Sequence, residues 1–390
     1  MKKIHFMIIS AVVCVFLFAS CGLTEKSGSV ISDLIDNTKN KEQEEDKENG
    51  KKPPVEDPSE EEGQTDTTYP PSGNVNLYIL SSNGYWKDGV KTDLPPTVYF
   101  SANAIAVSKG SVYIAGFSRD WKISPAVNYI DFGIACYWKD GVKIDLPPGT
   151  VYSSANAITV SEGSVYIAGS YNDDDNISRA CYWKDGVKTD LPATSHASAN
   201  AIAVSGGSVY IAGHYRESDG PTKACYWKDG VKTDVLPDGT NISSVKAIAV
   251  SEGSVYIAGY YYTGYYHDLD VSSKAFYWKD GVKTDLPGGK VISNALAIAV
   301  SEGSVYIAGM ARDGAGPGKA CYWKDGVKTE LSAPGGLTRA LAIAVSGGSV
   351  YIAGDYDIEG FHACYWKDGV RTDLPEGVGR SPSGIAVIAQ

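Results

Sequence analysis

Ala104-Ile105-Ala106-Val107-Ser108-Lys109-Gly110-Ser111-Val112-Tyr113-Ile114-Ala115-Gly116 leads, after a variable stretch, into Ala135-Cys136-Tyr137-Trp138-Lys139-Asp140-Gly141-Val142-Lys143-Ile144-Asp145-Leu146-Pro147. Val, Ile, Tyr and Trp dominate this passage. No helical period runs through it, and turn residues cut it into short apolar runs, which predicts four successive β-strands, A to D. Strand A (Ala104 to Val107) meets strand B (Val112 to Gly116) across Ser108-Lys109-Gly110-Ser111, a tight glycine-containing turn. Strand C (Ala135 to Lys139) meets strand D across Asp140-Gly141, a two-residue hairpin signal that demands positive φ.

The same passage recurs along the chain. Its tryptophans are Trp86, Trp138, Trp183, Trp227, Trp278, Trp323 and Trp366, spaced 43 to 52 residues apart, the length of one four-stranded propeller blade. The two ends of the repeat region complement each other. The chain enters with Asn76 to Leu80, Tyr85 to Gly89 and Val90 to Leu94, which supply strands B, C and D with no strand A. It finishes with Gly384 to Ile388, a strand A with nothing after it. Joining them completes one more sheet and leaves no unpaired edge. The predicted fold class is therefore all-β: a seven-bladed β-propeller of four-stranded blades, its ring closed by the N-terminal strands plus the C-terminal strand. Turns alternate between the two ends of an up-and-down sheet, so the constant A–B and C–D turns share a plain face. The variable B–C and D–A loops share the other.

This pattern resembles the WD-repeat and kelch propellers in strand count and in a Trp near the end of strand C. It lacks the Gly-His dipeptide of the former and the Gly-Gly pair of the latter. It is more similar to bacterial lipoproteins carrying Tyr-Trp-Lys-(Asp/Asn)-Gly repeats, over residues 75–390. The resemblance implies architecture but no partner.

Ahead of the repeats, Lys2 and Lys3 precede an apolar run, Met7 to Ala19, too short for a permanent span. Phe18-Ala19-Ser20-Cys21 looks like a bacterial lipobox, although the lipobox prefers Leu where Phe18 stands. That resemblance implies cleavage before Cys21 and acylation of it, with fatty acids such as palmitate; several chains on one residue suffice for stable anchoring. From Gly22 to about Ser72 the chain is rich in Glu, Lys, Asp and Pro and nearly free of aromatics, so it cannot offset its ordering entropy. The expected organisation is a lipoprotein signal peptide (1–20), lipidated Cys21 with an acidic tether (21–72), and the propeller (73–390). The expected location is exported, in the cell envelope, on the outer membrane or cell surface. A net charge of -11 and a pI near 5.0 exclude a basic nucleic-acid footprint.

Five cysteines, Cys136, Cys181, Cys225, Cys321 and Cys364, share one strand-C position, which Gly84 and Phe276 fill elsewhere. Equivalent sites in adjacent blades are too far apart for disulfides, and no Cys-x-x-Cys spacing exists for a metal, so buried free thiols are expected. The repeated Lys-Asp-Gly reads as a turn with a solvating lysine.

Function must lie where copies differ. At the entrance to strand A the units carry Asn103, Asn156, Asn200, Lys246, Leu296 and Leu341. Two positions earlier stand Ser101, Ser154, Ser198, Ser244, Asn294 and Arg339. Lys246, Asn294 and Arg339 thus give a lopsided polar mouth. The longest B–C loops supply aromatic candidates for a carbohydrate or protein ligand: Trp121 and Tyr129 in one, Tyr262, Tyr265, Tyr266 and His267 in the other. Tyr171, Tyr215, Tyr261 and Tyr356 share a repeat position and read as structural. Asp173 and Asp175 are considered for calcium, but the stretch lacks the Gly and distal Glu of a calcium loop. His196, His214, His267 and His362 are assigned to different variable loops without ligand spacing. No nucleophile elbow, zinc-protease motif or phosphate-cradling loop is present.

The leading expectation is a monomeric, non-enzymatic recognition or scaffolding module, tethered to the membrane through lipid on Cys21 and needing no cofactor. It would bind a protein or glycan at the variable face. A propeller hydrolase or lyase with its site at the channel mouth is the alternative, and a surface display or antigenic coat protein is the third reading.

Overall fold

The computed structural model describes residues 75–95, 99–119, 133–147, 152–193, 195–217, 220–236, 243–263 and 272–390. All belong to one compact unit, Thr68–Gln390, and the leader, Cys21 and the tether lie outside them. Among the described residues no helix is long and apolar enough to cross a membrane.

The described residues form 28 strands. In the first sheet β1 (Val75–Ser81) is followed by β2 (Gly84–Lys87) and β3 (Val90–Asp93), with β28 (Pro382–Ala389) antiparallel on the free side of β1. The second holds β4 (Tyr99–Ser108), β5 (Ser111–Arg119), β6 (Ile134–Lys139) and β7 (Val142–Asp145). The third holds β8 (Ser153–Ser161), β9 (Ser164–Asn172), β10 (Ser178–Lys184) and β11 (Val187–Asp190). The fourth holds β12 (Ala197–Ser205), β13 (Ser208–Arg216), β14 (Thr222–Lys228) and β15 (Val231–Asp234).

Next come β16 (Ser243–Ser251), β17 (Ser254–Tyr262), β18 (Ser273–Lys279) and β19 (Val282–Asp285), then β20 (Ile292–Ser301), β21 (Ser304–Arg312), β22 (Lys319–Lys324) and β23 (Val327–Glu330). A single parallel pairing, Ser273 with Ile292, merges these two antiparallel groups into one eight-stranded sheet. The last sheet holds β24 (Thr338–Ser346), β25 (Ser349–Asp357), β26 (Phe361–Lys367) and β27 (Val370–Val378). The first strands pack on one another in succession: β4 on β8, β8 on β12, β12 on β16, β16 on β20, β20 on β24, β24 on β28, and β28 on β4. Four-stranded antiparallel sheets stacked in this way are the blades of a β-propeller.

The repeated residues hold each blade together and each blade to the next. Asp140 and Gly141 take φ of 49° and 81°, the positive values a two-residue hairpin turn needs. The aspartate also reaches back, its Oδ1 accepting the Val112 N–H at 2.8 Å, and the equivalent bond recurs from Asp88 to Asp368. The lysine before it does not simply solvate the turn. Lys139 Nζ lies 5.5 Å from the Tyr113 ring centre, and the other copies place a lysine over the strand-B tyrosine in the same way.

The seven repeat tryptophans are fully or almost fully buried, and among the described residues five of them donate Nε1–H to a carbonyl just past strand D or within the long last strand of the preceding sheet. Trp183 bonds Pro147 at 2.7 Å, Trp227 bonds Pro192 at 3.0 Å, Trp323 bonds Pro287 at 2.6 Å and Trp366 bonds Ser332 at 2.9 Å. Trp86 makes the same bond to Pro375, across 289 residues of sequence. The five described cysteines are buried and free, and burial raises their thiol pKa values, Cys136 to about 12.

Strand A is longer than the run Ala104 to Val107 suggests. It starts at Tyr99 and contains a β-bulge between Ala102 and Ala104. The same bulge recurs in β8, β12, β16, β20 and β24, so the extra residues are Asn103, Asn156, Asn200, Lys246, Leu296 and Leu341. A matching irregularity in β28 leaves Ser383 as the extra residue. Opposite the bulges of β4, β8, β12, β16, β20 and β24 the B strand carries glycine, because a Cβ there would come within 1.9–2.2 Å of the carbonyl oxygen two residues before the bulge, whereas β1 has Ser81 at this position.

Candidate functional site on the inner strands

The bulge leaves one extra side chain on each inner strand, and the chemistry of that side chain divides the molecule. Ser383 Oγ donates to the Ala102 carbonyl at 3.1 Å. Asn103 Nδ2 donates to the Ala155 carbonyl at 2.9 Å, Asn156 Nδ2 to Ala199 at 2.9 Å and Asn200 Nδ2 to Val245 at 3.0 Å. Ser101, Ser154 and Ser198 hold these amides in place by donating to their Oδ1 atoms. The identical Ser/Asn copies are therefore braces between sheets.

Lys246 breaks the series. Its Nζ stands 5.6 Å from the centre of the Tyr260 ring, and among the described residues no carboxylate lies within ion-pair distance of it. Surrounding protein atoms lower its pKa, and burial is the sole cause; no acid opposes it. His214 neighbours it. Rather than in a loop, His214 lies in β13 opposite Ser198, with Nδ1 3.2 Å from Asn200 Nδ2. Burial, then the charge on Lys246, pushes its pKa down to about 4, so the ring is neutral at physiological pH. Lys246 and His214 are both half-buried.

The other two candidates at the mouth are differently placed. Asn294 Oδ1 accepts Ser273 Oγ–H at 2.7 Å, next to the parallel bridge between β18 and β20. Arg339 is neutralised: Nε and Nη2 donate to the two oxygens of Asp355 at 2.9 and 2.6 Å, and Asp355 is 0% exposed. Its Nη2 also bonds Ser381 Oγ at 3.1 Å, and its guanidinium lies 4.4 Å from the Phe361 ring centre. Asp355 and Tyr260 occupy the same repeat position, the residue after the strand-B glycine, and sequence reading passed over both. Their signal is that this position varies in every copy: Phe117, Ser170, His214, Tyr260, Met310 and Asp355.

Tyr262 stands at the end of β17 and meets Tyr260 edge-on, ring centres 5.8 Å apart, so the aromatic run begins beside Lys246. Trp121, Tyr129, Tyr265, Tyr266 and His267 lie outside the described residues. The four tyrosines of the shared position are occupied structurally: Lys188, Lys232, Lys283 and Arg371 lie over Tyr171, Tyr215, Tyr261 and Tyr356 at 3.5, 3.3, 4.0 and 4.9 Å.

The Asp173 carboxylate is also engaged, accepting the backbone N–H of Asp175 and Ile177 and, at 2.7 Å, Nε of Arg179; these bonds hold its pKa below the usual carboxylate range. Among the described residues no three His, Cys, Asp or Glu side chains come together to hold a metal. His362 lies in β26, stacked on Tyr356, and His196 precedes β12 with Nδ1 against the Ser178 N–H.

No family model matches the chain, and no curated protein matches it. Among solved structures it is similar to the β-propeller domain of the Trilobed protease from Pyrococcus furiosus, described as having an open velcro topology. The TM-score is 0.42 at 10% sequence identity, covering 70% of this chain and 82% of that one.

Proposed function

We propose that this chain is an exported, lipid-anchored, non-enzymatic binding protein whose propeller closes as seven blades and takes a protein or glycan ligand at the face where its loops vary. The observation that carries the binding reading is the contrast at the bulges. Asn103, Asn156 and Asn200 commit their amides to neighbouring carbonyls, whereas Lys246, beside His214 and Tyr260, places a partly desolvated amine where no described residue supplies an acid. Such a group costs stability and is retained where a ligand uses it. Binding rather than turnover is favoured because the Asp355 carboxylate is held bidentately by Arg339, and among the described residues no acid acts on His214.

Closure is supported by the pairing of β28 with β1, by the packing of β28 on both β24 and β4, and by the Trp86–Pro375 bond, which repeats at the ends the lock found between other sheets. Deleting Gly384 to Gln390 should therefore expose sheet edges and cause aggregation; an unchanged melting temperature would remove the closure. Lipid attachment rests on Lys2, Lys3, the apolar run and Cys21. Cys21→Ser should release the protein from the membrane fraction. The binding reading itself is tested by glycan-array and pull-down screens with the full chain, comparing wild type with Lys246→Met. Retention of every ligand by the variant would move the site away from the inner strands.

A further inference from the structure

Two cations stand on the inner strands, and among the described residues only Arg339 has a counter-ion. Arg339 lies across from Asp355, whose carboxylate is wholly buried and bonded to it twice. At the position equivalent to Asp355 the sheet containing Lys246 has Tyr260, whose ring face meets the ammonium. A tyrosine ring offers only partial electrostatic compensation, well short of a carboxylate. Among the described residues the same fold thus supplies an acid where a cation serves the structure and none at Lys246. The remaining neighbours do not compensate either: His214 repels the charge when protonated, and Asn200 has already used its amide on the Val245 carbonyl.

We infer that Lys246 seats an anionic group of the ligand, a carboxylate or a phosphate, on the inner strands between β12 and β20, with the Tyr260 and Tyr262 rings as an apolar flank for the part of the ligand that carries it. This rests on the proposed binding site and specifies its chemistry. Carboxylate and phosphate both satisfy a single ammonium, which acts as a point charge rather than a planar fork, so the geometry does not favour one over the other. The flanking rings suit a sugar or a peptide side chain, and both bear such groups.

The test uses the full chain and three probes, D-glucuronate, inorganic phosphate and neutral D-glucose, followed by thermal shift and isothermal titration. Glucuronate or phosphate should raise the melting temperature saturably while glucose does not, and whichever anion succeeds identifies the source. Lys246→Met should weaken that binding at least about tenfold, the loss expected for one charge-assisted contact, while melting no lower than wild type without ligand. Lys246→Arg should retain binding, which controls for a merely structural role. Absence of any anion effect in wild type, or an equal effect in Lys246→Met, overturns the anion seat. If a ligand from the array screen still binds Lys246→Met, the anion seat falls while the binding-module reading stands.

Discussion

The junctions between neighbouring inner strands are of two kinds. From β28/β4 through β12/β16 each is braced at the bulge by a serine or asparagine that donates to the next strand's carbonyl. From β16/β20 through β24/β28 the bulge residues are Lys246, Leu296 and Leu341, which make no such bond. Bonds nearer strand C occur in both groups: Ser153 Oγ accepts the Ala135 N–H at 2.8 Å on the braced side, as Ser293 Oγ accepts the Ala275 N–H at 2.9 Å and Thr338 Oγ1 the Ala320 N–H at 2.7 Å in the second group, where Arg339 also reaches Ser381. The inner position can therefore be released from structural service because these outer bonds remain. The released half contains the unpaired cation.

The largest effect should come from breaking the substitute at β24/β28. Arg339→Met would leave the Asp355 carboxylate buried without its partner, costing about 3–5 kcal/mol. Chemical denaturation would read this as a drop in midpoint, and Arg339→Met with Asp355→Leu should recover much of it. A pair that proved replaceable singly at no cost would mean that the released half is held by something other than these contacts.

A smaller and pH-dependent effect separates His214 from the braces beside it. Its folded pKa of about 4 lies below the ordinary 6.5, so between these values the unfolded chain binds more protons. Stability should accordingly be full above about pH 6.5 and decline as pH falls through 4, by roughly 2 kcal/mol once the ring's partial contact with water is allowed for. His214→Gln should flatten that slope. Lys246→Met should raise the His214 pKa, measurable from its ring proton shifts, since one of the two causes of depression is removed.

On the braced side, Asn156→Leu copies the residue found at the released bulges and strands the Ala199 carbonyl, at a cost of about 1–3 kcal/mol. A loss near zero would show that water replaces the brace.

How much of this was legible differs between fold and site. The strand order and the turns could be read from the repeat because Trp, Asp-Gly and the apolar runs act locally or between equivalent positions. The bulge could not, because its partner carbonyl belongs to the next sheet, some 43 residues away for Asn156. Asn103, Asn156 and Asn200 consequently read only as identical copies at the entrance to strand A when they are braces, and Arg339 reads as part of a polar mouth because Asp355 lies outside its own strand and looks like loop variation. One local signal was available. A glycine follows Ile-Ala in every full strand B, and an unvarying glycine inside a strand marks a close backbone approach.

The smallest effect is the most discriminating, because it builds a brace instead of removing one. Leu296 occupies the bulge of β20 as Asn156 occupies that of β8, and on the next inner strand Ala340 is the counterpart of Ala199. Leu296→Asn should let Nδ2 reach the Ala340 carbonyl and stabilise the protein by about 1 kcal/mol, a rise of a few degrees at most in a chain of this size. The gain is small because the leucine is only partly buried and little apolar contact is surrendered. If the substitution instead destabilises, the β20 bulge does not aim its side chain as the braced ones do. The two halves would then differ in backbone geometry as well as in residue type, and the release of Lys246 would follow from that geometry rather than from the loss of an amide.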